Sequence, residues 1–310
     1  GAVKAEKSII KYALFVSFFP QLVAGPIERS GNLLGQVQKI QEANLWNFER
    51  VRDGLLLMFW GLFQKLVIAD RASILVNQVY GNCQQYGFLE LAVASILFAF
   101  QIYCDFGGYT DIARGAAQVM GFSLMHNFRQ PYFAVSIKDF WRRWHISLTS
   151  WFTDYLYIPL GGSRKGIARQ YVNIMIVFGI SGLWHGASWH FIAWGLFHAV
   201  YQIVGNLREQ IFQKTGKTAS DGVQLSFSRR LGKQIVTFVM VDFAWIFFAA
   251  DSLHQVYYIL RQMMTTFQTV GIYEMGRDRG NWYMLLFGIC ILTIVDLVHE
   301  RKESVFFFVD

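Results

Sequence analysis

The stretch Ser181-Gly182-Leu183-Trp184-His185-Gly186 places one histidine among glycines and tryptophans. Apolar runs flank it on both sides, Tyr171–Ile180 and Phe191–Val204, and each is long enough to form part of a membrane helix. An ionisable side chain at membrane depth is costly, so such a residue is by default a candidate for function. The stretch therefore predicts membrane helices on both sides of a functional His185.

The composition supports a membrane protein of the all-α class. The chain has 310 residues, of which 54% are hydrophobic and only 16% are charged, and its mean hydropathy is +0.31. Soluble domains carry about a quarter charged residues. A soluble α/β enzyme would also need alternating strand patterns, which are missing here. We therefore predict a polytopic helical membrane protein, organised as a single domain over 1–310, which we expect to be truncated at both ends.

Eight apolar segments are candidate spans, and several are shorter than the roughly 20 residues of a full crossing. Short or broken helices at membrane depth are tolerated where protein packs around them or where they line a wet cavity. The pattern thus predicts short, broken or re-entrant helices. The segments are Ile9–Ala24, Gly54–Ile68, Leu89–Tyr103, Ile112–Phe122, Val172–Gly182, Trp189–Val204, Ile235–Ala250 and Trp282–Val298.

The net charge is +7, but the basic residues do not form a stripe of the kind that binds nucleic acid. They cluster in short polar connections between apolar segments, and their positions therefore predict how the chain is oriented in the membrane. Arg164, Lys165 and Arg169 lie on one side of the His185 segment, and the basic loop 206–233 lies on the other. If both connections face the cytoplasm, Tyr171–Val204 is a hairpin that enters and leaves by the same face. His185 then lies near its tip.

A second histidine, His145, lies in the stretch Phe140–Thr149, within an unusually aromatic and basic segment, Val135–Pro159. This mixture is typical of a helix that lies in the headgroup region or dips into it. Lys138, Arg142 and Arg143 are explained equally well as interface anchors or as attractors of a phosphate.

Metal or haem ligation has little support in the sequence. His185, His190 and His198 are five and eight residues apart, which separates their side chains by roughly 140° and 80° around a helix. No HExxH or Cys/His ligand spacing is present. We predict no metal site, and we interpret the remaining histidines as interfacial or core residues: His126, His190, His198, His254 and His299.

His185 has better support as an acid–base group. Gly182 and Gly186 remove side-chain bulk, so that a substrate or another helix can approach the imidazole. Trp184 and Trp189 can exclude water, and a neutral imidazole can take a proton from an attacking hydroxyl. No GxSxG elbow or Cys/His nucleophile pair appears. From these residues alone, an enzyme and a non-catalytic transporter or flippase are nearly equal alternatives, and a haem-binding protein is a third.

Four carboxylates lie within or beside apolar segments. Asp111 and Arg114 are one helical turn apart and predict an intrahelical pair. Asp105, close by, belongs to the same polar segment. Asp242 and Asp296 lie inside apolar runs and need partners that the sequence does not identify.

Longer motifs carry a resemblance to a known family. Gln130–Phe133, Asp139–Trp151, Asp154–Gly162 and Gly182–Ala187 resemble the membrane-bound O-acyltransferase family, and within it the bacterial alginate O-acetyltransferase branch. The segments 22–29 and 103–111 also resemble that branch, whereas the D-alanyl transfer branch is a weaker match.

The resemblance implies a multi-helix funnel in the bacterial cytoplasmic membrane that transfers an acyl group, here acetyl. It places the family's catalytic histidine at His185 and its second signature histidine at His145. It further implies acetyl-CoA as the donor substrate with no bound cofactor, a hydroxyl of an exported polysaccharide as the acceptor, and an extracytoplasmic acetyltransferase partner.

Overall fold

The computed structural model describes residues 6–22, 25–39, 46–214, 226–272, 275 and 278–301. These residues form helices joined by turns and contain no β-strand, which confirms the all-α class. Twelve α-helices are present in this part of the chain: α1 Ile9–Ser17, α2 Ser30–Lys39, α3 Phe48–Phe63, α4 Asp70–Gly81, α5 Phe88–Val119, α6 Ile137–Arg143, α7 Ile146–Phe152, α8 Ile167–His185, α9 Trp189–Lys214, α10 Phe227–Ala249, α11 Leu253–Thr265 and α12 Arg279–Arg301.

The chain groups into two compact units. The first contains 1–72, 100–128 and 280–310, and the second contains 73–99 and 129–279. Helices α4 and α5 contribute residues to both units. The second unit contains His185 and His145, so the candidate chemistry belongs to one unit. The single domain expected from the sequence stays a prediction.

Within the residues that the structure describes, three helices are long and apolar enough to cross a membrane: α5, α10 and α12. Helix α5 runs unbroken for 32 residues, so the prediction of two separate spans, Leu89–Tyr103 and Ile112–Phe122, was wrong. The polar residues between these two segments do not interrupt the helix, because residues outside α5 in the first unit form hydrogen bonds with their side chains. Gln64 Nε2 donates to Asp111 Oδ2 at 2.8 Å, and Arg114 Nη1 lies 3.4 Å from Asp111 Oδ1, which confirms the predicted pair.

Glycines allow α3 and α5 to pack closely within the first unit. A Cβ at Gly108 would lie 2.6 Å from the carbonyl oxygen of Gly61, and one at Gly115 would lie 2.4 Å from that of Gly54. Small residues at such contacts are common where membrane helices associate. The buried Asp296 of α12 accepts a hydrogen bond from the Tyr103 hydroxyl of α5 at 3.1 Å, which identifies its partner.

Helices α8 and α9 form a closely packed hairpin in the second unit, as predicted for Tyr171–Val204. A Cβ at Gly182 would lie 2.3 Å from the carbonyl oxygen of Phe191, and one at Gly195 would lie 2.2 Å from that of Phe178. The two backbones therefore touch at both positions. Residues 215–225, within the basic loop on which the predicted orientation rests, lie outside the described residues.

Helix α10 packs on α9 and completes this unit around aromatic side chains. Trp245 of α10 stacks on Trp194 of α9 with ring centroids 5.8 Å apart and planes at 16°. Asp242, also on α10, accepts a hydrogen bond from Ser95 Oγ at 2.9 Å. This serine is the partner that the sequence could not identify.

Replacement of Gly182 by alanine should destabilise the hairpin, because the new methyl group overlaps a backbone carbonyl that cannot move freely. Overpacking of this kind costs about 1–3 kcal/mol. Gly179→Ala on the same helix is the matched control, since its Cβ would meet only a Leu196 methyl group at 3.8 Å. Thermal unfolding in detergent should show a lower Tm for Gly182→Ala alone. Equal Tm values for the two variants would contradict the close hairpin.

Candidate active site

His185 is the last residue of α8 and is surrounded by aromatic rings. Its ring centroid lies 5.2 Å from that of Trp194 at 90° and 5.0 Å from that of Phe248 at 77°. Among the described residues, no group makes a hydrogen bond with its imidazole. Both ring nitrogens are therefore available to a substrate, and the imidazole is fixed by packing alone.

The tip of the hairpin holds His185 in a tight turn. Gly186 N donates to the Leu183 carbonyl at 3.2 Å, and a Cβ at Gly186 would lie 2.6 Å from Phe191 Cε2. Gly182 likewise faces the backbone of Phe191. The sequence left open whether Gly182 and Gly186 make room for a substrate or for another helix. In the structure they make room for helix α9.

His145 lies between α6 and α7 in a backbone conformation that is rare for its residue type. Its φ of 44° is left-handed, and its side chain is buried, with 6% exposed. Its ring centroid lies 6.2 Å from that of Trp184, the neighbour of His185. Burial and, to a smaller extent, the nearby His185 lower the pKa of the His145 imidazole. The structure thus brings the two histidines together and keeps His145 neutral at pH 7.

The predicted amphipathic helix over Val135–Pro159 is broken, and part of it is buried, which corrects the sequence interpretation. Phe140 and Trp144 are buried because they pack inside the second unit, where Trp144 lies 5.0 Å from Trp245 between ring centroids. Trp151 and Tyr155 remain exposed, as expected of residues at a membrane interface. Helix α6 ends at Arg143, and the chain changes direction at the extended Trp144 and the left-handed His145.

Two basic side chains of this segment, Lys138 and Arg143, form ion pairs, one with α9 and one within the segment. Arg143 Nε lies 2.9 Å from Asp139 Oδ1, and Lys138 Nζ lies 3.6 Å from Glu209 Oε2. These ion pairs give Lys138 and Arg143 a structural explanation, so neither needs a bound phosphate to account for its position.

The sequence predicts that His198 is an interfacial or core residue, and the structure confirms that it is a core residue. It is fully buried, and Trp141 Nε1 donates to its Nδ1 at 3.2 Å. Because an indole nitrogen can only donate, Nδ1 is the acceptor, and the proton of the neutral ring is on Nε2. Trp141 and His198 both contact Trp194, whose ring lies against His185.

His190 fixes the hairpin tip to the end of α10. It is buried, and its Nδ1 donates to the Phe247 carbonyl at 3.1 Å. This bond holds the neighbouring Phe248 against His185 and agrees with the expected core role of His190. No cluster of three His, Cys, Asp or Glu side chains that could hold a metal ion occurs among the described residues.

Sequence reasoning missed Trp194 and Phe248 as site residues. A signal for Trp194 was present, because Phe191, Trp194 and His198 are spaced by three and four residues and so share one face of α9. No comparable signal existed for Phe248, because its contact with His185 joins residues far apart in the chain.

The described residues form an all-helical membrane protein in which the buried His145 lies near the partly buried His185. Residues 4–225 match the model of the membrane-bound O-acyltransferase family, and the chain belongs to this family. The resemblance seen in the motifs is thereby confirmed.

Curated relatives place the chain near the O-acetyl branch. It is 37% identical over 255 residues to a peptidoglycan O-acetyltransferase of Helicobacter pylori, with 82% of this chain and 46% of the relative covered. It is 33% identical over 297 residues to a probable alginate O-acetylase of Pseudomonas aeruginosa, covering 96% and 53%. A teichoic acid D-alanyltransferase of Bacillus subtilis is 29% identical over 231 residues, covering 68% and 55%. The chain spans about half the length of these relatives.

The left-handed conformation of His145 predicts a difference in stability between two of its variants. Asparagine tolerates this conformation and alanine does not, and the difference is about 1 kcal/mol. Since both variants lose the imidazole, comparing them isolates the backbone term. His145→Asn should unfold at a higher temperature than His145→Ala in the same detergent. A higher Tm for the alanine variant would show that the backbone at this position is not strained.

Proposed function

We propose that the protein containing this chain is an O-acetyltransferase in which His185 is the general base. The observation that carries the proposal is the proximity of His145 to His185 at the tip of the α8–α9 hairpin, where the His145 ring lies 6.2 Å from that of Trp184, in a member of an O-acyltransferase family. The His185 imidazole is held by aromatic packing and keeps both nitrogens for a substrate. A histidine so placed can act on a hydroxyl within hydrogen-bond reach.

The reaction proceeds by direct attack of the acceptor hydroxyl on the acetyl thioester. His185 takes the hydroxyl proton as the oxygen attacks the carbonyl carbon, and a tetrahedral intermediate forms. The C–S bond then breaks, and the leaving thiolate receives the proton from the His185 imidazolium. Protons and electrons balance without any other reactant.

His145 is suited to stabilise the negative oxygen of that intermediate. Its imidazole is buried and neutral, so one ring nitrogen carries a hydrogen that it can donate. A donor fixed in a site that excludes water stabilises developing charge much more than the same donor in water. The rings of Trp194 and Phe248 pack against the His185 imidazole and exclude water from that side of it, which favours transfer over hydrolysis.

The distribution of charge supports opposite faces of the membrane as the sources of the two substrates. Arg164, Lys165 and Arg169 precede or open α8, at the end of the hairpin away from His185. By the positive-inside rule this end faces the cytoplasm, the source of acetyl-CoA as donor. The final acceptor is then a hydroxyl of an exported cell-surface polysaccharide, to which an extracytoplasmic acetyltransferase partner completes the transfer, and the protein resides in the bacterial cytoplasmic membrane.

The alternative raised by the sequence, a transporter or flippase without chemistry, predicts no acetylated product. The proximity of His145 to His185 and the transferase names of the relatives favour the enzyme. Among those relatives, the printed names refer to peptidoglycan, alginate and teichoic acid. Each of these names describes the transfer of an acyl group to a polymer of the cell envelope.

Replacement of His185 by alanine should reduce acetyl transfer at least about 100-fold, the usual contribution of a general base. The full-length protein and its variants are expressed in a host that lacks the gene, and O-acetyl esters on surface glycans are quantified by mass spectrometry. Because the His185 ring makes no hydrogen bond with the described residues, the variant should still fold and insert in the membrane.

His299→Ala is the matched control for this experiment, since His299 lies on α12 in the other unit. It should restore wild-type acetylation at equal membrane levels. Full acetylation by His185→Ala would overturn the proposed role of His185, and the absence of acetyl product from the wild type would favour the transporter.

A further inference from the structure

A recess of about 290 Å³ lies in the second unit, beside the loop that precedes α8. Two basic residues, Arg164 and Lys165, line it and are exposed. Neither forms an ion pair within the described residues, and no aspartate or glutamate among them lines the recess. The recess therefore carries a positive charge that no carboxylate offsets. Other lining residues used below are Tyr157, Gly161, Gly162 and Ser163.

The fold holds this loop in one conformation. Asn173 of α8 is fully buried, and its Nδ2 donates to the Gly162 carbonyl at 2.9 Å. Gly162 N in turn donates to the Tyr157 carbonyl at 2.9 Å. Gly161 and Gly162 have φ values of 105° and 55°, in the left-handed region that favours glycine. A ligand therefore meets a preformed surface, whereas basic residues that only orient a helix in the membrane need no fixed loop.

The side chain of Lys165 lies back over the loop instead of extending away from it. A Cβ at Gly161 would lie 2.8 Å from Lys165 Cδ and 3.0 Å from its Cε. The alkyl chain of the lysine therefore packs on the Gly161 backbone, where any larger residue would displace it. Because both residues line the recess, the ammonium group at the end of this chain is held beside it.

Backbone N–H groups of the loop add to the two cations. Arg164 N donates to the Gly161 carbonyl at 3.1 Å, whereas the N–H groups of Ser163 and Lys165 make no hydrogen bond within the described residues. Turns that leave N–H groups unpaired form concave sites for anions. A guanidinium, an ammonium and free N–H groups are all donors, and they match the acceptor oxygens of a phosphate.

The recess lies at the end of α8 that the charge distribution places in the cytoplasm. Helix α8 begins at Ile167 and ends at His185, which is a rise of about 27 Å at 1.5 Å per residue. The recess and the imidazole of His185 are therefore separate sites. A small ion that fills the recess does not touch His185.

We propose that this recess binds a phosphate group at the cytoplasmic face of the membrane, with Arg164 and Lys165 as its charged donors. Two sources present the same chemistry at that face. One is the phosphate end of a coenzyme A donor, and the other is the headgroup of an anionic phospholipid. The donor source rests on the proposed function, since it assumes acetyl-CoA as the donor, whereas the lipid source does not.

The first arm of the test measures binding of coenzyme A to the full-length protein in nanodiscs of phosphatidylcholine, a lipid without net charge. If the donor is the source, calorimetric titration should give a Kd at least about 10-fold higher for Arg164→Gln and for Lys165→Gln than for the wild type. Each variant loses a hydrogen bond between a cation and the phosphate, which is worth about that factor.

The second arm measures which phospholipid stays bound. The same proteins are released from nanodiscs of phosphatidylcholine mixed with phosphatidylglycerol, and the retained lipids are identified by native mass spectrometry. If a lipid is the source, the wild type should retain phosphatidylglycerol, and Arg164→Gln and Lys165→Gln should lose it. Dependence on these residues in the first arm alone identifies the donor, and dependence in the second arm alone identifies the lipid.

Arg169→Gln is the matched control, because Arg169 is an exposed cation at the same end of α8 and does not line the recess. It should behave as the wild type does in both arms. The proposal is overturned if neither arm depends on Arg164 and Lys165. It is also overturned if Arg169→Gln loses as much binding as the recess variants, because the net charge of the region would then explain the effect.

Acetyl transfer by His185→Ala separates this proposal from the proposed function, since His185 lies at the other end of α8 from the recess. If the recess variants weaken phosphate binding but His185→Ala transfers acetyl normally, the phosphate site stands and the role of His185 fails. If His185→Ala is inactive and the recess variants bind as the wild type does in both arms, the reverse holds.

Discussion

The close contact between the backbones of α8 and α9 is the constraint on which the candidate site depends. Gly182 and Gly195 leave no room for a side chain between the helices. This contact sets the register of the hairpin and places Phe191 and Trp194 beside His185. With wider spacing, the aromatic surface of α9 would no longer reach the imidazole, and a partly buried polar ring would lose its supports.

At the candidate site, the backbone is fixed by packing, and few hydrogen bonds hold the side chains. His145 enters from a turn in a left-handed conformation, and rare backbone conformations persist where surrounding structure enforces them, often at functional sites. Behind His185, the hydrogen bond from Trp141 to His198 orients two aromatic side chains that both contact Trp194. Aromatic packing therefore fixes geometry while the imidazole of His185 stays available for proton transfer.

Much of this organisation could be predicted from the sequence, since its signals are local. The apolar runs, the glycines and the basic connections were sufficient for the hairpin and for His185 at its tip. The motifs supplied His145 through their resemblance to a family. The continuity of α5 could not be predicted, because Asp105–Asp111 resembles a polar break until Gln64 of a different helix satisfies Asp111.

Contacts between distant parts of the chain account for the rest. Tyr103 and Asp296 are 193 residues apart, and Ser95 and Asp242 are 147 apart, so periodicity within a helix does not reveal these pairs. The burial of Phe140 and Trp144 was missed for a similar reason. An aromatic and basic segment has the same sequence pattern whether its rings face lipid or pack in the core. Here they pack on Trp245 and the rest of the core.

In the proposed mechanism, His145 and His185 act on one reacting group. A double-mutant cycle measures this most directly, with kcat for acetyl transfer determined in nanodiscs for wild type, His145→Asn, His185→Gln and the double variant. Residues that act as a unit show strongly non-additive losses. We expect the double variant to be no slower than His185→Gln within about threefold. Losses that multiply in the double variant would show two independent contributions and contradict a shared site.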